Sequence, residues 1–347
     1  MRIKVNSIFL LPAALFTFAV ALPCATSAEM SHADRDLIRE RNEALNSADE
    51  MFFSPLEKKP ERKLAGFFFH PASKVPPAEQ LLEALTLEND EKRDEACKAY
   101  DRLVRSFPYS SAASQAQLHL ARLREKQGNY KKAFEEYFYM LYFYPENAPA
   151  DSLLRQMYAI ANYYRTNGKE SRALDYFLRI AQIAPQWEHT PKALLQAGML
   201  QLDGKDYYDA ADSFDTIFSY HPGSPEAPTA MDKCAIALYA LSVKYPRDDA
   251  IIIKAMAVTT AALRDGDLHS PDHDTLVKNL EALTVHRSKM YYDMALFYDK
   301  PKYTPEIKIA AYKDYLRRFP KGPHSALARQ RLDELEKIAP KTKPTGE

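Results

Sequence analysis

Two histidines and two aspartates lie within one short stretch, at His269, Asp272, His273 and Asp274. Imidazole nitrogens and carboxylate oxygens bind divalent metal ions, so this stretch could in principle hold one. The order of the four residues matches no metal motif with a mechanistic basis, and a polar loop between helices has the same composition. We therefore expect no metal and no cofactor, and we interpret the stretch as a loop.

Recognisable catalytic motifs are missing from the rest of the sequence. It has neither a glycine-rich phosphate loop nor a nucleophile elbow, and its 9 glycines leave little material for either. Isolated histidines such as His119 and His221 more often pack or cap than catalyse, and paired acids such as Glu135 and Glu136 are typical of a solvated helix face. We predict no catalytic residues. The alternative is an enzyme whose acid and base groups converge only in three dimensions.

The charge balance of the chain argues against nucleic-acid binding. The 47 lysines and arginines equal the 47 aspartates and glutamates. Removal of residues 1–28, which contain Arg2 and Lys4 but no acid, would leave a net charge of about −2. A near-neutral chain without long runs of like charge lacks the basic surface that nucleic acids require. We therefore predict that the partners of this chain are other proteins and not nucleic acids.

A repeat in the sequence indicates the elements that would have to position any binding residues. An alanine followed four residues later by an aromatic residue and twelve residues later by a proline occurs four times in one register. Composition alone would produce such a triple only about 0.4 times in a chain of this length. The triples are Ala96, Tyr100 and Pro108; Ala133, Tyr137 and Pro145; Ala173, Phe177 and Pro185; and Ala210, Phe214 and Pro222.

Each repeat unit predicts two packed helices that end at a proline. Another small residue lies twelve residues before each alanine, and two small positions per unit allow the helices to approach closely. The prolines are 37, 40 and 37 residues apart, so the units resemble tetratricopeptide repeats of about 34 residues with longer turns. We predict an all-α fold, a tetratricopeptide-type solenoid of helical hairpins; an ordinary helical bundle is the alternative. The additional small residues are Ala84, Ala121, Ala161 and Gly198.

The register weakens after Pro222, and Tyr312 with Pro320 restores the spacing from aromatic residue to proline. We predict a solenoid over residues 78–338 with about six hairpins, of which the fifth and sixth are degenerate. Residues 339–347 are rich in lysine and proline and are predicted to be a disordered tail. Residues 29–77 are predicted to form a helix followed by an extended segment rich in proline and aromatic residues. In that segment Phe67, Phe68 and Phe69 either pack on the first repeat or bind a partner.

The first 28 residues have the pattern of a secretory signal peptide. Arg2 and Lys4 precede an apolar stretch over residues 8–22, which is shorter than the roughly 20 residues of a membrane span and contains Pro12. We predict that the protein is exported. Cys24 leaves lipidation as an alternative, although Pro23 stands where a lipoprotein processing site takes a small residue.

Two cysteines would remain after cleavage, Cys97 and Cys234. The register places them several helix pairs apart, and packed helices lie about 8–10 Å from one another. A disulfide needs its Cα atoms within about 7 Å. We therefore expect two buried free thiols.

In a solenoid of this kind the first helices of successive hairpins present side chains to a partner along a concave surface. Residues eleven and eight positions before the second-helix alanine point towards that surface, and two residues one or two turns earlier extend it in the third unit. This mixture of side chains could hold a peptide carboxylate or backbone; an ordinary solvated face is the alternative. The candidate residues are Arg122, Glu125, Arg155, Tyr158, Asn162 and Arg165.

Two stretches resemble the BamD family of outer-membrane protein assembly lipoproteins: residues 129–133 with 142–145, and residues 295–298 with 315–320. They are also similar to the periplasmic tetratricopeptide protein that works with the Tol-Pal system. The shared features are the aromatic–proline end of the second helix and the small residues that open the next one. The resemblance implies a scaffold that contacts outer-membrane assembly proteins and associates peripherally with that membrane; a soluble periplasmic adaptor in envelope maintenance or division is the alternative. No functional residue carries over, because the matching positions are structural.

Overall fold

The structure, a computed structural model, describes residues 60–65, 74–265 and 269–338. Within these ranges the chain forms thirteen α-helices and no β-strand. The helices are α1 (Pro77–Asn89), α2 (Arg93–Ser106), α3 (Ser111–Lys126), α4 (Tyr130–Phe143), α5 (Ala150–Thr166), α6 (Glu170–Ile183), α7 (Thr190–Asp203), α8 (Tyr207–Tyr220), α9 (Ala227–Lys244), α10 (Asp249–Asp265), α11 (His273–Tyr298), α12 (Pro305–Arg318) and α13 (Ser325–Ile338).

Consecutive helices pack against one another along the whole described chain, and several first helices also contact the first helix of the next hairpin, as α1 contacts α3 and α7 contacts α9. The buried side chains form overlapping cores. One spans α1 to α7, a second spans α6 to α11, and a third spans α11 to α13. Each hairpin therefore shares its core with its neighbours, which is the packing of a helical solenoid. The predicted fold class is confirmed.

Five of the helices, each the second helix of its hairpin, end two residues before a proline. The residue immediately before the proline has left the helical conformation, with φ between −128° and −140° and ψ between 46° and 66°. The proline ring disfavours helical ψ in the preceding residue, and the missing N–H cannot continue the hydrogen-bond ladder. These helices are α2, α4, α6, α8 and α12, which stop before Pro108, Pro145, Pro185, Pro222 and Pro320.

The turns inside the first four hairpins place one residue in the left-handed region, always two residues beyond the end of the first helix. Gly128 (φ 72°) and Gly168 (φ 68°) occupy this position in the second and third hairpins. In the fourth hairpin the left-handed residue is Lys205 (φ 66°), and the glycine of this turn, Gly204, stands one position earlier. The first hairpin likewise has a non-glycine residue there, Glu91 (φ 59°).

The small residues of the repeat lie where paired helices meet. Ala84, Ala121 and Ala161 are fully buried on their first helices. At Gly198 on α7, an added Cβ would lie 2.5 Å from Cε1 of Phe214 on α8, so the ring occupies the space that a methyl group would need. The aromatic residue of this unit therefore packs directly on the backbone of the first helix.

Several sequence predictions fall outside the described residues: the signal peptide over 1–28, Cys24, the first helix near 34–47, the three phenylalanines at 67–69 and the tail over 339–347. Among the helices of the described ranges, none combines the length and apolarity that crossing a membrane requires.

Candidate partner-binding surface

Four of the six predicted binding residues lie on one face of α5. Arg155, Tyr158, Asn162 and Arg165 are separated by three, four and three residues, and this spacing aligns side chains along a helix. Asp151, four residues before Arg155, extends the row at the start of the helix. We call these five residues the α5 stripe. Arg155 and Arg165 are exposed, whereas Tyr158 and Asn162 are half-buried.

Hydrogen bonds hold the polar members of the α5 stripe in place. Arg155 Nε donates to Asp151 Oδ2 at 2.9 Å, and Asn162 Nδ2 donates to the Tyr158 carbonyl at 3.2 Å. Arg165 Nε lies 3.4 Å from Asn162 Oδ1. Both arginines keep guanidinium N–H groups outside these bonds, because each uses only Nε within the stripe. The stripe is therefore ordered yet retains donors for a ligand.

The next repeat unit contributes residues that the sequence did not indicate as binding residues. Trp187, before α7, donates from Nε1 to Asp151 Oδ1 at 3.0 Å. Lys192 of α7 holds its Nζ 5.7 Å from the centre of the Tyr158 ring, which packs on Phe177 at 5.5 Å. The surface thus extends from α5 onto α7. Trp187 is the single tryptophan of the chain, and its residue type is the one sequence feature that points to it as a binding residue.

The electrostatic balance of this surface is basic. Hydrogen bonds from Arg155 and then Trp187 hold the pKa of Asp151 below its ordinary value, so this carboxylate is ionised at neutral pH. Asp151 and Glu188, an exposed acid whose charge also acts on Arg155, stand against three cations, Arg155, Arg165 and Lys192. Because arginine can form paired hydrogen bonds with a carboxylate, the surface suits an acidic group or a chain terminus on a partner.

The two remaining candidates, Arg122 and Glu125, lie on α3. Arg122 is exposed. Glu125 is half-buried, and its Oε2 accepts a hydrogen bond from the hydroxyl of Tyr137 on α4. Burial, followed by this hydrogen bond, raises the pKa of Tyr137, so the phenol stays protonated and remains a donor. The carboxylate of Glu125 therefore has a role inside the hairpin.

The same tyrosine–acid pair recurs in other hairpins. Tyr100 donates to Glu88 at 2.7 Å, twelve residues earlier, and Tyr312 donates to Asp299 at 3.0 Å. In the third hairpin the aromatic residue is Phe177, which has no hydroxyl, and the residue twelve positions earlier is Arg165. The third hairpin thus replaces an internal hydrogen bond with an exposed cation. This exchange is visible in the sequence once the pairing is known.

The histidine- and aspartate-rich stretch is a loop only in part, because His273 and Asp274 are the first two residues of α11. Ordinary polar contacts tie the loop part to α9. Lys233 Nζ lies 2.7 Å from Asp272 Oδ2, and Ser270 donates to the buried carboxylate of Asp232. Burial raises the pKa of Asp232. In the part of the chain that the structure describes, no three histidine, cysteine, aspartate or glutamate side chains are grouped as a metal site requires.

Both described cysteines are buried free thiols, as predicted. Cys97 lies on α2 and Cys234 on α9, where its Sγ is 3.4 Å from the Ala211 carbonyl. Burial raises the pKa of Cys97, and it raises that of Cys234 to about 12. Neither thiol forms the thiolate that cysteine chemistry needs at neutral pH.

Comparison with known families identifies the repeat. The family model described as tetratricopeptide repeat matches residues 80–110 and 192–224. Each matched stretch covers one helix–turn–helix unit and its closing turn, α1–α2 in the first case and α7–α8 in the second. These two stretches of the chain therefore match the tetratricopeptide repeat. The family model matches the first and fourth of the four repeat units found in the sequence.

A curated relative shares part of the repeat region. The outer membrane protein assembly factor BamD of Caulobacter vibrioides is 32% identical over 98 residues, which are 28% of this chain and 31% of that protein. The match thus spans less than a third of the relative's length. It supports a tetratricopeptide family, and the relative's activity is not transferred by it.

Two solved structures are also similar to this chain. A tetratricopeptide repeat protein from Parabacteroides merdae is 16% identical and covers 75% of this chain and 98% of its own, with a TM-score of 0.26. Pseudomonas aeruginosa pilF is 14% identical and covers 74% of this chain and 97% of its own, with a TM-score of 0.29. Superpositions this loose are no basis for comparing shape or function.

Proposed function

We propose that this protein is a non-catalytic scaffold that holds other proteins through the first helices of its tetratricopeptide repeats. The observation that carries the proposal is the α5 stripe with Lys192, an ordered row that keeps Arg155 and Arg165 exposed. The third hairpin has lost the internal tyrosine–acid bond at the position of Arg165, so folding does not need a partner for that side chain inside the hairpin. The guanidinium group of Arg165 therefore keeps N–H donors for a partner.

The chemistry of this surface favours an acidic or C-terminal peptide segment. Two guanidinium groups can each pair with a carboxylate, while the half-buried Tyr158 ring offers an apolar surface between them. Lys192 adds a cation from the next hairpin. A segment that runs along α5 towards α7 would contact all four groups.

We further propose that the protein works in the bacterial cell envelope, in outer-membrane protein assembly. The support is the local similarity to BamD, which is named as an outer membrane protein assembly factor, together with the signal-like pattern of residues 1–28. On this proposal the protein is exported, and its partners are envelope proteins at the periplasmic face of the outer membrane.

Site-specific photocrosslinking tests this function. A photoreactive amino acid at Arg165 of the full chain, in cells that naturally make the protein, should yield covalent adducts with an outer-membrane assembly protein. The same amino acid at Lys132, an exposed residue on the second helix α4, is the matched control and should not yield them. The absence of envelope proteins among the adducts, or identical adducts from both positions, would contradict the proposal.

Attachment to the membrane is tested separately at Cys24. If the chain is a lipid-anchored scaffold, membrane-bound protein should become soluble when Cys24 is changed to serine. A soluble periplasmic adaptor should show the same fractionation with and without Cys24→Ser. The measurement is the share of the protein that sediments with outer membranes.

A further inference from the structure

The short segment over residues 60–65 lies in a groove on the opposite set of helices from the α5 stripe. Eight residues line the groove where it contacts the segment, and they come from the second helices α2 and α4 and from the turns that follow them. We call it the second-helix groove. Its lining residues are Asp101, Arg105, Pro108, Tyr109, Glu136, Tyr139, Phe143 and Tyr144.

Arg62 fills an aromatic slot at one end of the groove. Its guanidinium carbon is 4.5 Å from the centres of both the Tyr109 and Phe143 rings. Nη1 also donates to the Pro108 carbonyl at 3.0 Å. Cation–π attraction to the two rings and a directional hydrogen bond to the carbonyl hold this planar cation. A smaller side chain could not make both kinds of contact.

Lys63 fills an acidic slot next to it. Its Nζ forms an ion pair with Glu136 and lies 3.5 Å from Asp101 Oδ1 and 4.9 Å from the centre of the Tyr139 ring. Only 17% of the Lys63 side chain is exposed, and Glu136 is 14% exposed. Two partly buried carboxylates therefore contact this ammonium group. Asp101 also pairs with Arg105, whose Nε lies 2.6 Å from Oδ2, so the slot carries one negative charge more than it has cations of its own and favours a cation.

Main-chain bonds complete the recognition. The Lys63 N–H donates to the Tyr139 hydroxyl at 3.1 Å, and the Ala65 N–H donates to the Arg105 carbonyl at 2.8 Å. The neighbouring side chains do not take part, because Glu61 and Leu64 are exposed, Leu64 at 58%. The groove thus binds an extended backbone and selects an adjacent arginine and lysine.

The contacts of the 60–65 segment are those of a bound peptide. No residue of the segment belongs to the hydrophobic clusters of the described helices. Polar, ionic and aromatic contacts at the surface hold it, and these can be exchanged for the same contacts from another chain. The core of the hairpins α1–α2 and α3–α4 includes Tyr139 and Tyr144, whose rings Lys63 and Arg62 contact, but it includes no residue of the segment itself.

We propose that the second-helix groove is a second peptide-binding site, for an extended segment of a partner protein that carries an adjacent arginine–lysine pair. Residues 60–65 occupy the site in the free protein and compete with that partner. A tethered segment acts at an effective concentration in the millimolar range, so it weakens partner binding strongly until it is displaced. This proposal is independent of the α5 stripe, which lies on the first helices.

Peptide binding to a vacated groove tests the proposal. The full chain with Arg62→Ala and Lys63→Ala is titrated into a fluorescein-labelled peptide with the sequence of residues 60–65, and anisotropy is recorded. We expect this variant to bind the peptide at least about tenfold more tightly than the unchanged protein does, because the competitor is removed. A peptide with alanine in place of its arginine and lysine should not bind.

Two further variants locate the binding. On the vacated background, Tyr109→Ala removes one wall of the arginine slot and should weaken peptide binding about tenfold. Tyr208→Ala, at a tyrosine on α8 that is 72% exposed, is the matched control and should leave it unchanged. If the double variant does not fold, Arg62→Ala alone empties the arginine slot while Lys63 keeps its ion pairs, and this variant should still bind the peptide more tightly than the unchanged protein, by a smaller factor.

Three results would overturn the proposal. The first is that the folded, vacated protein fails to bind the peptide. The second is that binding is equal in vacated and unchanged protein, or is insensitive to Tyr109→Ala. The third is a dimer of the unchanged protein, seen by analytical ultracentrifugation, that becomes monomeric in the double variant; the occupant would then be the 60–65 segment of a second copy.

Discussion

At the scale of single residues, the same repeat position serves folding in some hairpins and is left for binding in another. Glu88 and Glu125 accept hydrogen bonds from the tyrosine of their own hairpin, whereas Arg165 lies opposite a phenylalanine and is exposed. A buried phenol needs an acceptor, and a buried phenyl ring does not. Phenylalanine in place of tyrosine lacks the hydroxyl group. The residue twelve positions earlier therefore does not have to accept a hydrogen bond.

Gly198 allows a test of packing at this scale. Gly198→Ala places a methyl group 2.5 Å from a carbon of the buried Phe214 ring, so one of the two helices must shift. We expect the variant to lose about 1–3 kcal/mol of unfolding free energy in urea denaturation. Gly223→Ala is the control, because a methyl group there meets no atom within 4 Å. Equal midpoints for the two variants would show that α7 and α8 are not in such close contact.

At the scale of elements, the ends of the helices could be predicted from neighbouring residues in the sequence. The contacts between different hairpins could not. A proline acts on the residue before it, so the ends of α2, α4, α6, α8 and α12 follow from the sequence. The left-handed residue of the fourth hairpin does not, because Gly204 stands one position before the residue that needs the unusual φ. Trp187 and Lys192 contact the α5 stripe, and Arg62 contacts α4, only because the hairpins stack in three dimensions. The periodicity of the sequence does not predict such contacts.

The turns give the prediction at this scale. Lys205→Gly should raise the unfolding free energy by up to about 1 kcal/mol, because glycine adopts positive φ without the steric cost that lysine pays. Gly128→Ala, at the equivalent turn with no neighbouring atom within 4 Å, should lower it by about 1 kcal/mol. Thermal unfolding of the two variants should shift in opposite directions. Shifts of the same sign would contradict this account of the turns.

At the scale of the whole molecule, ion pairs join successive helices at the C-terminal end of the array. Asp299, at the end of α11, accepts hydrogen bonds from Arg331 of α13 at 2.7 Å and from Tyr312 of α12 at 3.0 Å. The Arg331 hydrogen bond is the largest cause of a pKa for Asp299 below its ordinary value. Its folded-state pKa lies below the unfolded one, so its stabilisation is present above about pH 4 and is lost as the pH falls through the folded-state pKa.

Acid titration checks this network. At pH 7, Asp299→Asn should reduce the unfolding free energy by about 2 kcal/mol, and the difference from the unchanged protein should shrink as the pH falls below about 4. Asp293→Asn, at an exposed carboxylate on the same helix, should have little effect at either pH. Urea denaturation over this pH range gives the measurement. A difference that does not change with pH would show that the Asp299 charge is not what joins the three helices.

The central claim is that the repeats hold partner proteins through the first-helix surface around α5. Its most direct test is the affinity of a partner captured from Arg165 for the full chain with Arg155→Glu and Arg165→Glu. The account predicts at least about a tenfold loss of affinity, because charge-assisted hydrogen bonds are replaced by repulsion. Lys98→Glu with Lys132→Glu makes the same change of charge at exposed second-helix positions and should leave the affinity unchanged. Equal affinity for the two double variants would contradict the claim.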